Sequence, residues 1–269
     1  MVHPHVRTLL RVRQTRGLRH RPVPMRAAIS SNFSVWRDEA IVAEYARANA
    51  LQAPEETILN QLSSRLSSMR MLDIGVGAGR TMLHFAPRVR EYWGVDCSPA
   101  MIAACALRRP RADNVRLAVC DARAMAGFPD NFFDFVLFSY NGIDYVPHRD
   151  RLDIFAEIRR VSAVDGLFCF SSHNLQHLPV HRRFEIKSQT VGNLRRPKRL
   201  RSLPYALVND GVHGGRLLTY YINPAEQLKQ LVPYYKDVKV SRLDGASVGD
   251  ENSLASVDDC WLYYLCAIR

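Results

Sequence analysis

Leu72-Asp73-Ile74-Gly75-Val76-Gly77-Ala78-Gly79-Arg80 is the stretch that decides the fold of this 269-residue chain. Residues 71–74 read as a short strand, and a helix is expected from about 80 to 87. Glycines at alternate positions between them let the backbone turn tightly and let a ligand approach the main chain. The first N–H groups of the helix face any negative group nearby. A dinucleotide fingerprint, G-x-G-x-x-G, needs Gly or Ala where this chain has Arg80. A carboxylate at Asp73 would repel a pyrophosphate and suit a ligand with a cationic amino group. Taken alone, the same residues also fit a plain strand–turn–helix.

Outward from this loop the pattern alternates. Strands are expected at 92–96, 115–119, 133–139 and 166–171, the fourth of the series nearly all apolar, as in a strand buried on both faces. Ser98-Pro99 opens a helix to about 107, with Ser as cap and Pro at its first position. Residues 152–161 form an amphipathic helix. Two helices, over 35–50 and from Pro54 to about 68, precede the core. Such alternation argues an α/β fold with a parallel sheet covered on both faces. After Asn174 the period is lost until 217–222 (strand), 224–231 (helix), 238–243 (strand) and 261–268 (strand). The last two strands suggest an antiparallel hairpin at the sheet edge, joined by a turn-rich loop.

The strand tips carry the chemistry. Asp96 ends the second strand, where an acid can accept both hydroxyls of a ribose. Asp121 and Ala122 follow the third, where a carboxylate can accept from an exocyclic amine or simply form a turn. Ser139, Tyr140 and Asn141 follow the fourth. Together these tips converge on one crevice at the carboxyl edge of the sheet.

With these residues in place, the chain resembles the class I S-adenosylmethionine-dependent methyltransferases, over about residues 35–174 and more loosely in the final strands. The resemblance implies a Rossmann-like doubly wound sheet of seven strands, order 3-2-1-4-5-7-6, with strand 7 antiparallel. It implies S-adenosylmethionine as cofactor. The loop Gly75, Gly77, Gly79 with Asp73 would hold its methionine part, Asp96 the ribose, and Cys97, Met101, Asp121 and Ala122 the adenine. Ser139 and Tyr140 would flank the sulfonium, and Arg80 and Tyr45 would approach the cofactor carboxylate. A base is needed only if the acceptor is protonated; His173, His148 and Asp144 are candidates, and Asn141 and Asn174 could orient an acceptor.

The composition, 47% hydrophobic and 23% charged, is that of a globular chain without a membrane-length apolar run. The net charge is +11; residues 1–37 carry +8 and residues 182–201 carry +7, which leaves the remainder at −4. Residues 1–32 are expected to be a disordered basic tail and 33–269 the catalytic domain. An irregular insert, about 175–215, is expected to cover the acceptor, with Tyr205, His213, Tyr220 and Tyr221 as lining candidates. Six cysteines without a CxxC spacing suit a reducing, cytoplasmic setting. No metal is expected, since Pro179 interrupts the run of His173, His177 and His181. The expected reaction is methyl transfer to O or N of a small molecule or a sugar or lipid intermediate. The rivals are an RNA or protein methyltransferase using the 182–201 patch, a non-catalytic nucleoside-binding module, and a nucleotide oxidoreductase. Nucleic acid is disfavoured because the patch lacks aromatic interleaving.

Overall fold

A computed structural model describes residues 32–110, 112–178, 185–186, 202–209 and 211–269. Residues 1–31, His181 and all of the 182–201 basic patch except Glu185 and Ile186 lie outside the described residues.

β1 (Arg70–Ile74) and β2 (Glu91–Asp96) are buried beyond their first residue. They pair in parallel with each other, with β3 (Val115–Val119) beyond β2, and with β4 (Phe133–Phe138) beside β1. β5 (Ser162–Asn174) runs parallel to β4. β11 (Trp261–Ile268) then lies antiparallel between β5 and β9 (Tyr235–Ser241). The spatial order β3-β2-β1-β4-β5-β11-β9 is the expected 3-2-1-4-5-7-6, with the seventh strand antiparallel. The last strand is therefore interior, and the edge belongs to β9 and the two-residue β10 (Ser247–Val248).

Helices cover both faces. Those that matter for the site are α1 (Glu39–Arg47), α2 (Ala53–Gln61), α3 (Ser63–Leu66), α4 (Met82–Phe85), α5 (Pro99–Leu107) and α6 (His148–Val161). In α5 the Ser98 side chain accepts from the Met101 N–H at 3.3 Å, and Pro99 stands in the first turn. α6 buries Arg151, Ile154, Phe155, Ile158 and Val161, a single stripe at helical spacing. α4 is only one turn, continued by a 3-10 turn at Ala86–Arg88 where Pro87 removes a donor. α7 (Pro224–Leu231) matches the expected helix, and the loop before β11 holds a short helix, α8 (Glu251–Ser256).

The insert is more regular than its sequence. β7 (Tyr205–Asn209) pairs antiparallel with β8 (Thr219–Ile222) and with β6 (Glu185–Ile186). β8 joins the main sheet through the tip of β5, His173 beside Tyr221 and Asn174 beside Ile222. The expected tail boundary also shifts. Asn32 is buried; its amide donates to the carbonyls of Tyr145 (2.9 Å) and Leu218 (3.0 Å) and accepts from the Leu218 N–H. The folded body thus includes Asn32. No helix among the described residues is long and apolar enough to cross a membrane.

Candidate active site

The crevice forms where β1, β2, β3 and β4 end. Gly75, Gly77 and Gly79 all have positive φ (63°, 55° and 92°), so the loop after β1 turns in a conformation that other residues resist. The three glycines do different jobs. A Cβ on Gly75 would stand 2.8 Å from the Phe138 ring, so this glycine lets the loop pack on β4. A Cβ on Gly79 would meet Cys105 Sγ and Met82 Cε at 2.9 Å, so this one lets α4 and α5 close up. At Gly77 the nearest atom would be 3.8 Å away, on Tyr45. Gly77 keeps the cavity open.

That cavity encloses about 1150 Å³, its mouth included, and is lined by Tyr45, Gly75, Gly77, Arg80, Asp96, Cys97, Met101, Asp121, Ala122, Ser139 and Tyr140 among others. Asp96 is buried in its wall. One carboxylate oxygen accepts the Gly77 N–H at 3.0 Å and the other the Ser98 N–H at 2.8 Å. A carboxylate offers about four lone-pair sites; these two N–H groups take the best-aligned of them, and the Cys97 thiol and N–H draw on it as well. Burial raises the Asp96 pKa, and hydrogen bonds from the Ser98 and Gly77 N–H groups and from Cys97 oppose that rise. Burial likewise pushes the Cys97 thiol up to about 12, which keeps it neutral.

Asp121 sits at the β3 tip, partly claimed. Arg123 grips it through Nε (3.0 Å) and Nη2 (2.6 Å) and reaches Asp150 at 2.7 Å through Nη1. Burial works to raise the Asp121 pKa, and these bonds outweigh it, leaving it lowered. It lines the cavity as a carboxylate.

Three expected cofactor residues take other roles: Gly79, which packs α4 on α5 and does not line the cavity, Asp73 and Arg80. Asp73 is 1% exposed and does not line the cavity. Its carboxylate accepts from the Thr81 hydroxyl and, at 2.5 Å, from Tyr92. It ties β1 to the start of α4 and to β2 beneath the loop. Burial pushes its pKa up to about 7 against the two hydroxyl donors. Arg80 does line the cavity, but its guanidinium is a bidentate partner of the fully buried Glu55, at 2.5 and 2.6 Å. Glu55 also accepts from Tyr263 and from the Gln52 N–H. The Arg80 charge is therefore matched within the protein rather than held free.

Beside the cavity lies a second cluster. Tyr140 and Asn141 both take left-handed backbone (φ 56° and 61°), a strained pair that re-aims the chain after β4. The Asn141 N–H is held by Ser171 Oγ at 2.8 Å. Asp144 accepts from the His173 backbone N–H (2.7 Å), from the His173 ring Nδ1 (2.8 Å) and from Ser172 (2.7 Å). A carboxylate at Nδ1 fixes the ring proton there and leaves Nε2 with its lone pair. Nε2 stands 3.4 Å from the Asn141 amide nitrogen. Asp144 is also paired with the fully buried Arg151, which donates to Ile143 O and Gln227 Oε1.

His148 does not join this cluster. Its ring lies flat on Tyr205 (centroids 4.2 Å apart) and bonds Tyr220 at 2.7 Å. Burial lowers its pKa, helped by Arg151 and Arg149. As the first residue of α6 it packs the insert onto the sheet, as do Tyr205 and Tyr220. Asn174 is also structural, donating to the Val257 and Asp259 carbonyls. His177 pairs with Asp258, away from His173. Among the described residues no group of three His, Cys, Asp or Glu could hold a metal.

Sequence reasoning missed three parts of the site. Asn32, Phe33 and Trp36 line the cavity from the leading segment, with the Trp36 carbonyl accepting from Ser98 at 2.6 Å. Glu55 neutralises Arg80. Arg151 anchors Asp144; its signal was an arginine on the apolar stripe of α6, where a buried cation demands a carboxylate.

A family model described as a methyltransferase domain matches residues 71–166. The chain is 30% identical over 153 residues to an uncharacterized methyltransferase, YcgJ, of Bacillus subtilis, covering 56% of each chain. It thus spans little more than half the length of that curated relative. Among solved structures, an S-adenosylmethionine-dependent methyltransferase of Mesorhizobium loti aligns with a TM-score of 0.57 at 16% identity, over 80% of this chain and 98% of the other. A protein described as a DhpI-SAH complex aligns with a TM-score of 0.55 at 19% identity, over 89% and 96%. At such identities these structures share the fold.

Proposed function

We propose that the chain is a class I S-adenosylmethionine-dependent methyltransferase, a reading supported by the methyltransferase-domain match over residues 71–166 and the shared fold, and that it transfers a methyl group from S-adenosylmethionine to nitrogen or oxygen of a small-molecule acceptor. The observation that carries this reading is Asp96: a buried carboxylate set in the wall of a cavity kept open by a glycine at positive φ. The donor set fits an adenosyl sulfonium compound. Asp96 suits the ribose hydroxyls. The apolar wall of Cys97, Met101 and Ala122, with Asp121 at its edge, suits the adenine. The backbone of Gly75 and Gly77 leaves room for the methionine part, while Ser139, Tyr140 and Tyr45 stand beside the position for the sulfonium.

When bound, S-adenosylmethionine supplies an electrophilic methyl carbon on a cationic sulfur. The leaving group is already good, so the protein's work is alignment and desolvation. His173 acts as general base: Asp144 holds Nδ1–H, and Nε2 takes the acceptor's proton. Asn141 orients the acceptor beside it. Asp73 and Arg80 act as positioning residues, one under the loop and the other across to Glu55. Incubating the protein with a metabolite pool and deuterated-methyl S-adenosylmethionine tests the reading. Labelled methyl should appear on a small molecule; labelling only of RNA or protein would contradict it.

A further inference from the structure

The leading segment is held to the body by contacts that stand apart from the main cores. Among the described residues, the two large apolar cores around the sheet contain no residue of 32–47 or 205–222. A small separate cluster holds the segment instead: Val35 and Ile41 from the segment itself, Ala78 of the glycine loop, Met101 of α5 and Leu217, just before β8. The polar contacts follow the same line. Asn32 bonds the Leu218 backbone in both directions and the Tyr145 carbonyl. Asp38 pairs with Arg216 at 2.6 Å, and Trp36 meets Tyr145 and His213 edge-on, with centroids 4.9 and 5.9 Å apart. On the cofactor side, Ser98 gives its hydroxyl to the Trp36 carbonyl (2.6 Å) and its N–H to Asp96 (2.8 Å). The segment and the carboxylate assigned to the ribose thus share one anchor.

Resting on the cofactor reading above, we propose that residues 32–47 and the stretch 211–218 dock as one strap across the cavity, and that a bound adenosyl compound holds the strap down. Ala78 and Met101 of the small cluster, and Trp36, Tyr45 and Tyr145 packed against it, also line the cavity. The same side chains therefore fasten the segment and form the cavity wall. Elements that pack on a small satellite cluster open at a lower free energy than the cores. A ligand seated against Trp36, Tyr45 and Met101 adds buried surface that exists only while the strap is down, so it binds the docked state better and shifts the balance towards it. The stretch 211–218 is built to turn. A Cβ on Gly211 or Gly214 would meet nothing within 4 Å, so their positive φ (83° and 71°) serves the turn and not packing. Asn32 pins the two halves of the strap together, because its amide reaches Leu218 from the leading segment.

Amide hydrogen exchange of the full chain, read by mass spectrometry with and without saturating S-adenosylhomocysteine, tests this. In the free protein, residues 35–47 and 211–218 should exchange faster than β1 and β4. The ligand should slow both stretches together by at least about 10-fold. Asn32→Ala, which removes three hydrogen bonds, should speed exchange in both stretches by about 10-fold or more and leave β1 and β4 unchanged. Arg216→Gln, at a half-exposed side chain, should do the same more weakly, and carries the test should Asn32→Ala fail to fold. Protection that stops at the glycine loop and Asp96, or that is absent although calorimetry shows binding, overturns the strap. So does a variant that loosens 35–47 while 211–218 stays as in the wild type. No calorimetric heat with S-adenosylhomocysteine overturns instead the cofactor reading on which the strap rests.

Discussion

Asp144 Oδ2 accepts from both the backbone N–H and the ring Nδ1 of His173, at 2.7 and 2.8 Å. One oxygen thus fixes the position of the residue and the tautomer of its ring. The other oxygen is paired with Arg151. On the proposed reading Asp144 serves catalysis through His173 as well as stability through Arg151, and substitution separates the two. His173→Asn should lower turnover by about 100- to 10,000-fold, the usual worth of a general base, with S-adenosylhomocysteine affinity unchanged. Steady-state kinetics with the acceptor found by mass spectrometry checks this. Asp144→Asn should in addition destabilise the fold by about 3–5 kcal/mol, since Arg151 is left as a buried cation without its counter-charge; urea unfolding reads that loss.

Asp96→Asn should weaken cofactor binding by about 10-fold or more, because a charge-assisted hydrogen bond is worth about 1.5–3 kcal/mol. The amide keeps one oxygen to accept from the backbone. Far-ultraviolet circular dichroism should therefore remain that of the wild type while the calorimetric affinity falls.

Gly77 and Gly79 should respond differently to alanine. Both would pay about 1–2 kcal/mol for a side chain at positive φ. At Gly77 the new methyl enters open cavity space beside Tyr45, so cofactor affinity should fall with a modest loss of stability. At Gly79 the methyl meets Cys105 and Met82, so stability should fall further. Melting temperature and affinity measured on both variants separate the two effects.

Asp73 predicts a pH signature. An aspartate in the unfolded chain titrates near pH ~3.9, and burial pushes this one up to about 7. Between those values the folded state holds the extra proton. Its contribution to stability is complete below about pH 4 and is lost as pH rises through about 7. Asp73→Asn can still accept from Thr81 and Tyr92 but does not titrate. At about 1.4 kcal/mol per pKa unit, the stability of Asp73→Asn relative to wild type should climb by a few kcal/mol from pH 4 to pH 8. A constant difference across that range, measured by urea unfolding, would contradict the burial argument.

Most of the fold was legible because its signals are local. Helix α7 and strand β11 match their sequence readings end to end, since Pro224 and the apolar run from Trp261 mark them unambiguously. The glycine loop, Asp96 and the segment after β4 were legible for the same reason. What escaped depends on long-range pairing. β7 is short and half-buried, and its long-range partners β6 and β8 make it a strand. Glu55 reads as a first-turn acid until the fold brings Arg80, 25 residues away, against it. Asp73 looked like a ligand group because a sequence does not show which way a strand's last side chains face. The aromatic row Trp261–His173–Tyr221 exists only in the sheet register.

The central claim is that the cavity beside Asp96 is an adenosyl sulfonium site. Isothermal titration calorimetry of the full chain with S-adenosylmethionine, S-adenosylhomocysteine and NADH tests it most directly. The account predicts saturable one-to-one heat with both adenosyl sulfur compounds, sharply reduced in Asp96→Asn, and none with NADH. No heat with either sulfur compound, alongside tight NADH binding, would contradict it.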